Sequence, residues 1–179
     1  MAEHWCRVVM NRETERLVDA LGPQSLRVLE VSGNSWSGRK PFASYAVAAY
    51  PAYDVCAGPL DASFDLIIAE QVFEHLLWPY RAALNIFEML DPGGHVLVTT
   101  PFLIKRHDAP VDCSRWTETG MKHLLAEVGF DLGTMQTGSW GNRACIEANW
   151  LEWVEFRPDQ HSLENEPEFP MVVWALARK

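Results

Sequence analysis

Continuous hydrophobic runs alternate with segments of helical periodicity along this chain, and glycine and proline separate them. Apolar runs predict buried strands at 26–31, 64–69, 95–100 and 171–176, with further strands at 43–48 and 130–137. Apolar positions at helical spacing predict helices over 11–21, 72–90, 117–128 and 142–153. The polar, proline-containing segment 157–170 predicts a loop.

Local signals define several of these boundaries. Pro79 predicts the start of the main segment of the second helix, because proline is tolerated in a first helical turn. The run Asp91-Pro92-Gly93-Gly94 predicts a stop before the strand at 95–100. Thr117 is the predicted N-cap of the third helix, and Gly129 is its predicted C′ residue.

Strands that alternate with helices predict an α/β domain with a largely parallel sheet. The central strands at 26–31 and 64–69 are apolar throughout, which is typical of strands covered on both faces. Ligands of such sheets bind beyond the carboxyl ends of the strands. We therefore expect the functional residues just after each strand: at 30–34, at Glu70-Gln71, and from Pro101 onward.

Length, charge and cysteine content restrict the function classes. The 179 residues predict a single domain with an N-terminal helical segment (1–23), a core (24–132) and a C-terminal strand-helix-strand part (133–179). The net charge of -9 argues against a nucleic-acid partner. No apolar run is long enough for a membrane span, and no secretory signal is evident. Four widely spaced cysteines predict reduced thiols, so we expect a cytoplasmic protein.

Three segments carry a resemblance to a known family. VLEVSGNSW, FDLIIAEQVFEHL and LDPGGHVLVTTPF, in this order and spacing, resemble class I S-adenosylmethionine-dependent methyltransferases over residues 24–132. The most similar type is the small-molecule group that includes the ubiquinone-biosynthesis enzymes. The resemblance implies a Rossmann-like, mostly parallel twisted sheet with helices on both faces and an antiparallel last strand. It also implies S-adenosylmethionine as cofactor, with S-adenosylhomocysteine as product.

The resemblance further implies a set of cofactor-binding residues. Glu30 would lie near the ammonium group of the cofactor, Glu70 and Gln71 near its methionine part, and Asp54 near its adenine. The full implied set is Glu30, Ser32, Gly33, Asn34, Tyr50, Asp54, Glu70 and Gln71. Gly33 lacks a Cβ, so the backbone there can approach a ligand closely.

Two features depart from the family pattern. The glycine-rich loop after the first strand keeps only Gly33 and Gly38. The family's ribose-binding acidic residue is also missing, because Ala48, Ala49 or Tyr50 stands at the end of the second strand. We therefore expect ribose recognition to be weaker or to come from another group.

The segment between the first strand and FDLIIA is short. Residues 34–63 have room for one strand, whereas the family usually has two strands and their helices there. We expect a sheet that is trimmed at one edge. An uncovered edge is a liability unless it is paired, and a homodimer is our hypothesis for how it is covered.

The loop from Phe102 to Trp116 contains the main candidates for chemistry. His107 is the first candidate for a general base, and His75 is the second. Asp112 and Arg115 form either a structural ion pair or, through Arg115, a site for an acidic substrate group. Trp116 is either a packing residue or a wall of the substrate site. No cluster of His, Cys and Asp has the sequence spacing of a metal site, so we expect no metal.

These features favour transfer of a methyl group to an O or N atom of a small-molecule metabolite in a biosynthetic pathway. The alternative is a protein that binds the cofactor without transferring methyl and acts structurally or in other chemistry. An unrelated α/β nucleotide-binding domain is a third interpretation. It is disfavoured because the G-x-G-x-x-G fingerprint is absent.

Overall fold

The fold is built on one six-stranded sheet. A computed structural model describes residues 3–179, and the order of the strands is β2-β1-β3-β4-β6-β5. The strands are β1 (Arg27–Val31), β2 (Ser44–Ala48), β3 (Phe64–Glu70), β4 (Leu90–Pro101), β5 (Gln136–Trp140) and β6 (Val172–Arg178). β2, β1, β3 and β4 run parallel, and β6 is antiparallel to both of its neighbours. The predicted sheet with an antiparallel last strand is confirmed.

Four α-helices cover the two faces of the sheet. They are α1 (Val8–Asp19), α2 (Pro79–Met89), α3 (Glu118–Glu127) and α4 (Arg143–Ala148). One core cluster packs α2 and α3 against the sheet, and a second cluster packs α1 and Cys145 of α4 against the other side. Val28 and Ile68 project into one cluster and Leu29 and Ile67 into the other, which explains why β1 and β3 are apolar throughout.

Several local signals are confirmed. α2 begins at Pro79, and a separate turn of 3-10 helix covers Phe73–His75. The side chain of Thr117 accepts a hydrogen bond from the backbone N–H of Gly120 (3.0 Å), so it caps α3. Gly129 follows the C-cap residue with a φ of +118°, the kind of conformation that favours glycine there.

Several predicted boundaries are wrong, and the first helix, predicted over 11–21, is Val8–Asp19. β4 begins at Leu90 instead of 95, because residues 91–94 continue the strand through a register shift opposite Phe64 and Leu66. The last-but-one strand is Gln136–Trp140 instead of 130–137, because Phe130 packs beneath α2 and α3 in the core. The helix predicted over 142–153 ends at Ala148, since Asn149 turns back to accept the backbone N–H of Val154 (2.9 Å).

The β2 edge of the sheet is trimmed as expected. All residues between β1 and β3 are described, and none of them forms an α-helix. β2 is therefore the outermost strand, and its side chains are exposed or half-buried, with Val47 46% exposed. Within residues 3–179, no helix is both long enough and apolar enough to cross a membrane.

Candidate active site

Two adjoining cavities lie at the carboxyl ends of the parallel strands. The large cavity has a volume of about 530 Å³ and is lined by Ser32, Tyr50, residues 53–56, Gln71-Val72, residues 75–78 and residues 109–111. The small cavity has a volume of about 260 Å³. Gln71, His75 and Ala109 line both, so the two cavities meet at these residues.

The ends of β1 and β3 reach the large cavity through residues with left-handed backbone. Ser32 has a φ of 60° and Gln71 a φ of 56°, and neither is glycine. The turn at Gln71 is held by Thr99 of β4: the backbone N–H donates to the Thr99 carbonyl (2.9 Å), and the side-chain amide donates to the Thr99 hydroxyl (3.1 Å). Such conformations concentrate at ligand sites, where the surrounding structure holds them in place.

The segment after β2 forms the outer wall of the large cavity. Tyr50 is 61% exposed, and the hydroxyl of Tyr53 donates to the carbonyl of Gly58 (2.9 Å). Asp54 accepts the backbone N–H of Cys56 through one carboxylate oxygen (2.8 Å), which shapes the turn there. Four of the predicted cofactor residues, Ser32, Tyr50, Asp54 and Gln71, thus line one cavity.

Glu30 lies behind the large cavity instead of in it. Its buried carboxylate accepts the backbone N–H groups of Ser35 and Trp36 (2.9 Å each), and it also accepts the hydroxyls of Ser35 (3.0 Å) and Tyr45. A Cβ on Gly33 would lie 2.5 Å from Glu30 Oε1. The missing Cβ at Gly33 therefore serves the contact between this turn and Glu30.

Glu70 is likewise held by other parts of the protein. The indole N–H of Trp36 donates to one carboxylate oxygen (2.9 Å), and Arg7 contacts the other (3.3 Å). Trp36 is fully buried and thus joins the carboxylates at the ends of β1 and β3. Glu30, Gly33, Asn34 and Glu70 line neither cavity, so their predicted contacts with the cofactor stay predictions.

The loop after β4 folds over the cavities and is fixed at several points. The backbone N–H groups of Cys113 and Ser114 donate to the carbonyl of Glu74 (2.7 and 3.2 Å). Asp112 accepts both ends of the Arg115 guanidinium and also the backbone N–H of His107 (2.9 Å). These donors, Arg115 foremost, lower the pKa of Asp112 to about 2.

The predicted substrate residues in this loop stay outside both cavities. Asp112 and Arg115 form an ion pair with each other, which was one of the two alternatives drawn from the sequence. Trp116 packs against the core cluster that contains α2 and α3. Asp112, Arg115 and Trp116 as substrate-binding residues stay predictions.

The small cavity contains the two candidate bases. Its lining comes from His4, Cys6, Arg7, Gln71, Glu74, His75, Pro101, Ile104, His107, Ala109, Trp153 and Val172. The rings of His75 and His107 meet edge to face with centroids 5.0 Å apart, and His107 also contacts Trp153 in this way (6.0 Å). Burial, and then the nearby His75, lower the pKa of His107, so its neutral form is favoured.

Glu74 is the residue that sequence reasoning missed. Its side chain is fully buried, and neither carboxylate oxygen has a hydrogen-bond partner among the described residues. Burial raises its pKa to about 7. Its position next to His75 in the segment FDLIIAEQVFEHL was a sequence feature that could have indicated its role. No comparable indication exists in the sequence for His4, Arg7 and Trp153. These residues line the small cavity only because the tertiary fold brings them there.

Comparison with known proteins agrees with this geometry. A family model described as a methyltransferase domain matches residues 2–134. No curated protein matches the chain. Among solved structures, an S-adenosylmethionine-dependent methyltransferase from Mesorhizobium loti is 17% identical, with 92% of this chain and 96% of that chain covered at a TM-score of 0.59.

Two further structures were solved with S-adenosylhomocysteine. The N-methyltransferase NodS from Bradyrhizobium japonicum WM9 is 17% identical, with 95% of this chain and 86% of that chain covered at a TM-score of 0.55. The 1,6-didemethyltoxoflavin-N1-methyltransferase from Burkholderia thailandensis is 14% identical, with 97% and 79% covered at a TM-score of 0.58. At these identities the likeness establishes the fold.

The sheet, with the antiparallel strand β6 between β4 and β5, has the Rossmann-like methyltransferase fold. This chain belongs to the methyltransferase-domain family, whose model spans most of its length. S-adenosylmethionine is the cofactor of this family, and the large cavity fits it in two ways. Its volume lies in the usual range for cofactor sites, and backbone held in left-handed turns lines it on two sides.

Proposed function

We propose that this protein transfers the methyl group of S-adenosylmethionine to an O or N atom of a small-molecule acceptor. The observation that carries the proposal is the pair of cavities that meet at Gln71, His75 and Ala109. One cavity is large enough for the cofactor, and the other is a smaller chamber directly beside it. Methyl transfer needs such an arrangement, because the acceptor must approach the methyl group in line with the bond that breaks.

Residues of the large cavity would hold the cofactor, which supplies an electrophilic methyl group on a sulfonium centre. Tyr50 and Tyr53 offer aromatic and hydroxyl contacts where the family usually has its ribose-binding acidic residue. Asp54 keeps one carboxylate oxygen free for a polar contact, since only the other accepts the Cys56 N–H. The segment 109–111 covers the junction of the cavities and excludes water there.

Residues of the small cavity would position the acceptor and take its proton. His75 donates from Nδ1 to the carbonyl of Val111 (2.6 Å), so its Nε2 carries a free lone pair. His107 is buried enough to favour its neutral form, and a neutral imidazole can accept a proton. These features support catalytic roles for both histidines as part of this proposal.

A second function, cofactor binding without methyl transfer, is favoured by one observation. Glu30 and Glu70, which the family resemblance places near the methionine part of the cofactor, are already bound to Trp36, Tyr45 and Arg7. A weakly held methionine end would orient the methyl group poorly. The test must therefore separate binding from turnover.

Two measurements separate binding from turnover. The first is calorimetric titration with S-adenosylmethionine and S-adenosylhomocysteine, and the second is a methyl-transfer assay over a metabolite panel. We expect both cofactor forms to bind, and label to pass from S-adenosylmethionine to at least one acceptor. Absence of binding at millimolar cofactor contradicts both functions. Binding without turnover over the whole panel supports the second function.

Two wider expectations belong to the same proposal. A second copy of the chain would cover the exposed β2 edge in a homodimer, because an unpaired edge strand invites pairing. A biosynthetic role in the cytoplasm fits the four cysteines, none of which is in a disulfide.

A further inference from the structure

Three electron-rich side-chain atoms face one another at the boundary of the two cavities. A carboxylate oxygen of Glu74, a ring nitrogen of His75 and a ring nitrogen of His107 all lie within 4.8 Å of one another. Glu74 and His75 are adjacent in the chain, whereas His107 comes from the loop after β4. The fold alone brings them together, which is why sequence spacing gave no indication of a metal site.

The hydrogen bond of His75 fixes which of its nitrogens carries the proton. The carbonyl of Val111 can only accept, so Nδ1 of His75 is the protonated nitrogen in this 2.6 Å bond. Nε2 therefore presents a lone pair, and it lies 3.6 Å from Oε1 of Glu74. Two acceptors so placed repel each other unless a cation or a proton lies between them.

His107 has a carboxylate beside its ring, although no hydrogen bond joins the two side chains among the described residues. Its Nδ1 lies 3.7 Å from Oδ2 of Asp112, whose carboxylate is fixed by Arg115. The carbonyl bonded to His75 is a usual outer partner of a metal-binding imidazole. Such a partner orients the ring and makes its other nitrogen a better ligand.

The cations near this cluster are already engaged. Arg7 contacts Glu70 (3.3 Å), and Arg115 is bound to Asp112. Glu74 is left fully buried with no hydrogen-bond partner among the described residues. A buried carboxylate without a partner is costly, and such groups take up a proton, pair with a cation or coordinate a metal ion.

We propose that Glu74, His75 and His107 bind a divalent transition-metal ion of the zinc type. Two imidazoles and one carboxylate suit Zn²⁺, Co²⁺, Ni²⁺ or Fe²⁺, whereas Mg²⁺ prefers oxygen ligands alone. Three protein ligands leave coordination positions open, and all three ligand residues line the small cavity.

The consequence for chemistry rests on the proposed function. An acceptor hydroxyl that coordinated the ion in the small cavity would release its proton to solvent water more readily, because the ion would stabilise the oxyanion. The two histidines then act on the acceptor through the ion, and the favoured acceptors are oxygen groups that can bind a metal. Metal binding itself does not depend on methyl transfer.

Equilibrium dialysis tests the site directly. Untagged protein is freed of metal with a chelator and dialysed against Zn²⁺, and Co²⁺ is used in parallel for its visible absorption. We expect one ion per chain and a Co²⁺ spectrum of low coordination number. Glu74→Gln and His107→Asn should each weaken binding by about tenfold or more.

His123→Ala is the matched control, because His123 is exposed on α3 and lies outside the cluster. Circular dichroism checks that each variant folds. The two ligand variants are independent, so if one does not fold, the other still tests the proposal. Equal Zn²⁺ affinity in the wild type and both ligand variants, or no bound Zn²⁺ in the wild type, overturns the proposal.

Cofactor titration of the same metal-free samples separates this proposal from the proposed function. Cofactor binding without Zn²⁺ binding removes only the metal site. Zn²⁺ binding without cofactor binding leaves the metal site standing and removes the proposed methyl transfer.

Discussion

Gly33 illustrates how a single residue can be important for a different reason from the one its sequence suggests. The sequence indicated a close approach of the backbone to the cofactor, whereas the structure places the Glu30 carboxylate where a Cβ would lie. Glu30 in turn holds the backbone of Ser35 and Trp36. The turn after β1 is therefore organised from inside the protein.

Gly33→Ala should reduce both stability and cofactor affinity. The added methyl group would displace the Glu30 carboxylate and loosen the turn that carries Ser32, at a cost of about 1–3 kcal/mol in the free energy of unfolding. Urea denaturation and calorimetric titration measure the two effects. Gly58→Ala is the control, because a Cβ at Gly58 meets nothing within 4 Å. Wild-type stability in Gly33→Ala would contradict this account of the turn.

His107→Ala should lower turnover more than cofactor affinity. His107 lines the small cavity but not the large one, so its loss affects the acceptor and leaves the cofactor wall intact. We expect kcat to fall by a factor of about 10²–10⁴, whether His107 acts as a base or through an ion. Steady-state kinetics and calorimetry give the two quantities. Unchanged kcat would reject any catalytic role for this residue.

Among the elements, β1 and β3 are coupled by Trp36. Its backbone N–H donates to Glu30, and its indole N–H donates to Glu70. Each strand carries a carboxylate at or next to its last residue that needs a donor, and one fully buried residue supplies donors to both, through its backbone and through its side chain.

Trp36→Phe should therefore destabilise the protein while keeping most of its packing. The substitution leaves an oxygen of Glu70, a side chain only 4% exposed, without its indole donor. We expect a loss of about 1–3 kcal/mol in the free energy of unfolding, measured by urea denaturation. Trp150→Phe is the matched control, since Trp150 is 65% exposed. An equal effect of the two substitutions would show that the bond to Glu70 is unimportant.

The elements also show what the sequence could predict. β1, β3, β6 and the start of α2 were evident because continuous burial and a proline leave clear local patterns. β5 was misplaced because Gln136–Trp140 is mostly polar and takes its strand conformation from pairing with β6. The role of Glu74 escaped prediction because its isolation follows from distant residues, among them Arg7 and Arg115, that bind other carboxylates.

For the molecule as a whole, the trimmed edge is the main departure from the family pattern. Residue count alone predicted it, because 34–63 could not hold two strands with their helices. The residue count could not predict how exposed β2 is. Within residues 3–179 its outer edge is unpaired, and Val47 is 46% exposed.

Light scattering on a size-exclusion column should show twice the chain mass if β2 pairs with a second copy. Val47→Lys should shift the protein toward the monomer, because a charge on an edge strand opposes pairing. Leu132→Lys is the control, since Leu132 is equally exposed (44%) but precedes β5, at the opposite edge of the sheet. A strictly monomeric wild-type mass at high concentration would remove the dimer.

The residues that line the small cavity extend along the sequence from His4 to Val172. Those that line the large cavity extend only as far as Val111. On the ribosome, the residues that line the large cavity are therefore all made before Trp153 and Val172. Domains generally fold as units once their residues have been synthesised. A nascent chain that stops short of Trp153 has the residues of the cofactor wall but no closed chamber beside it. Synthesis of the last strand thus controls when the second chamber can form.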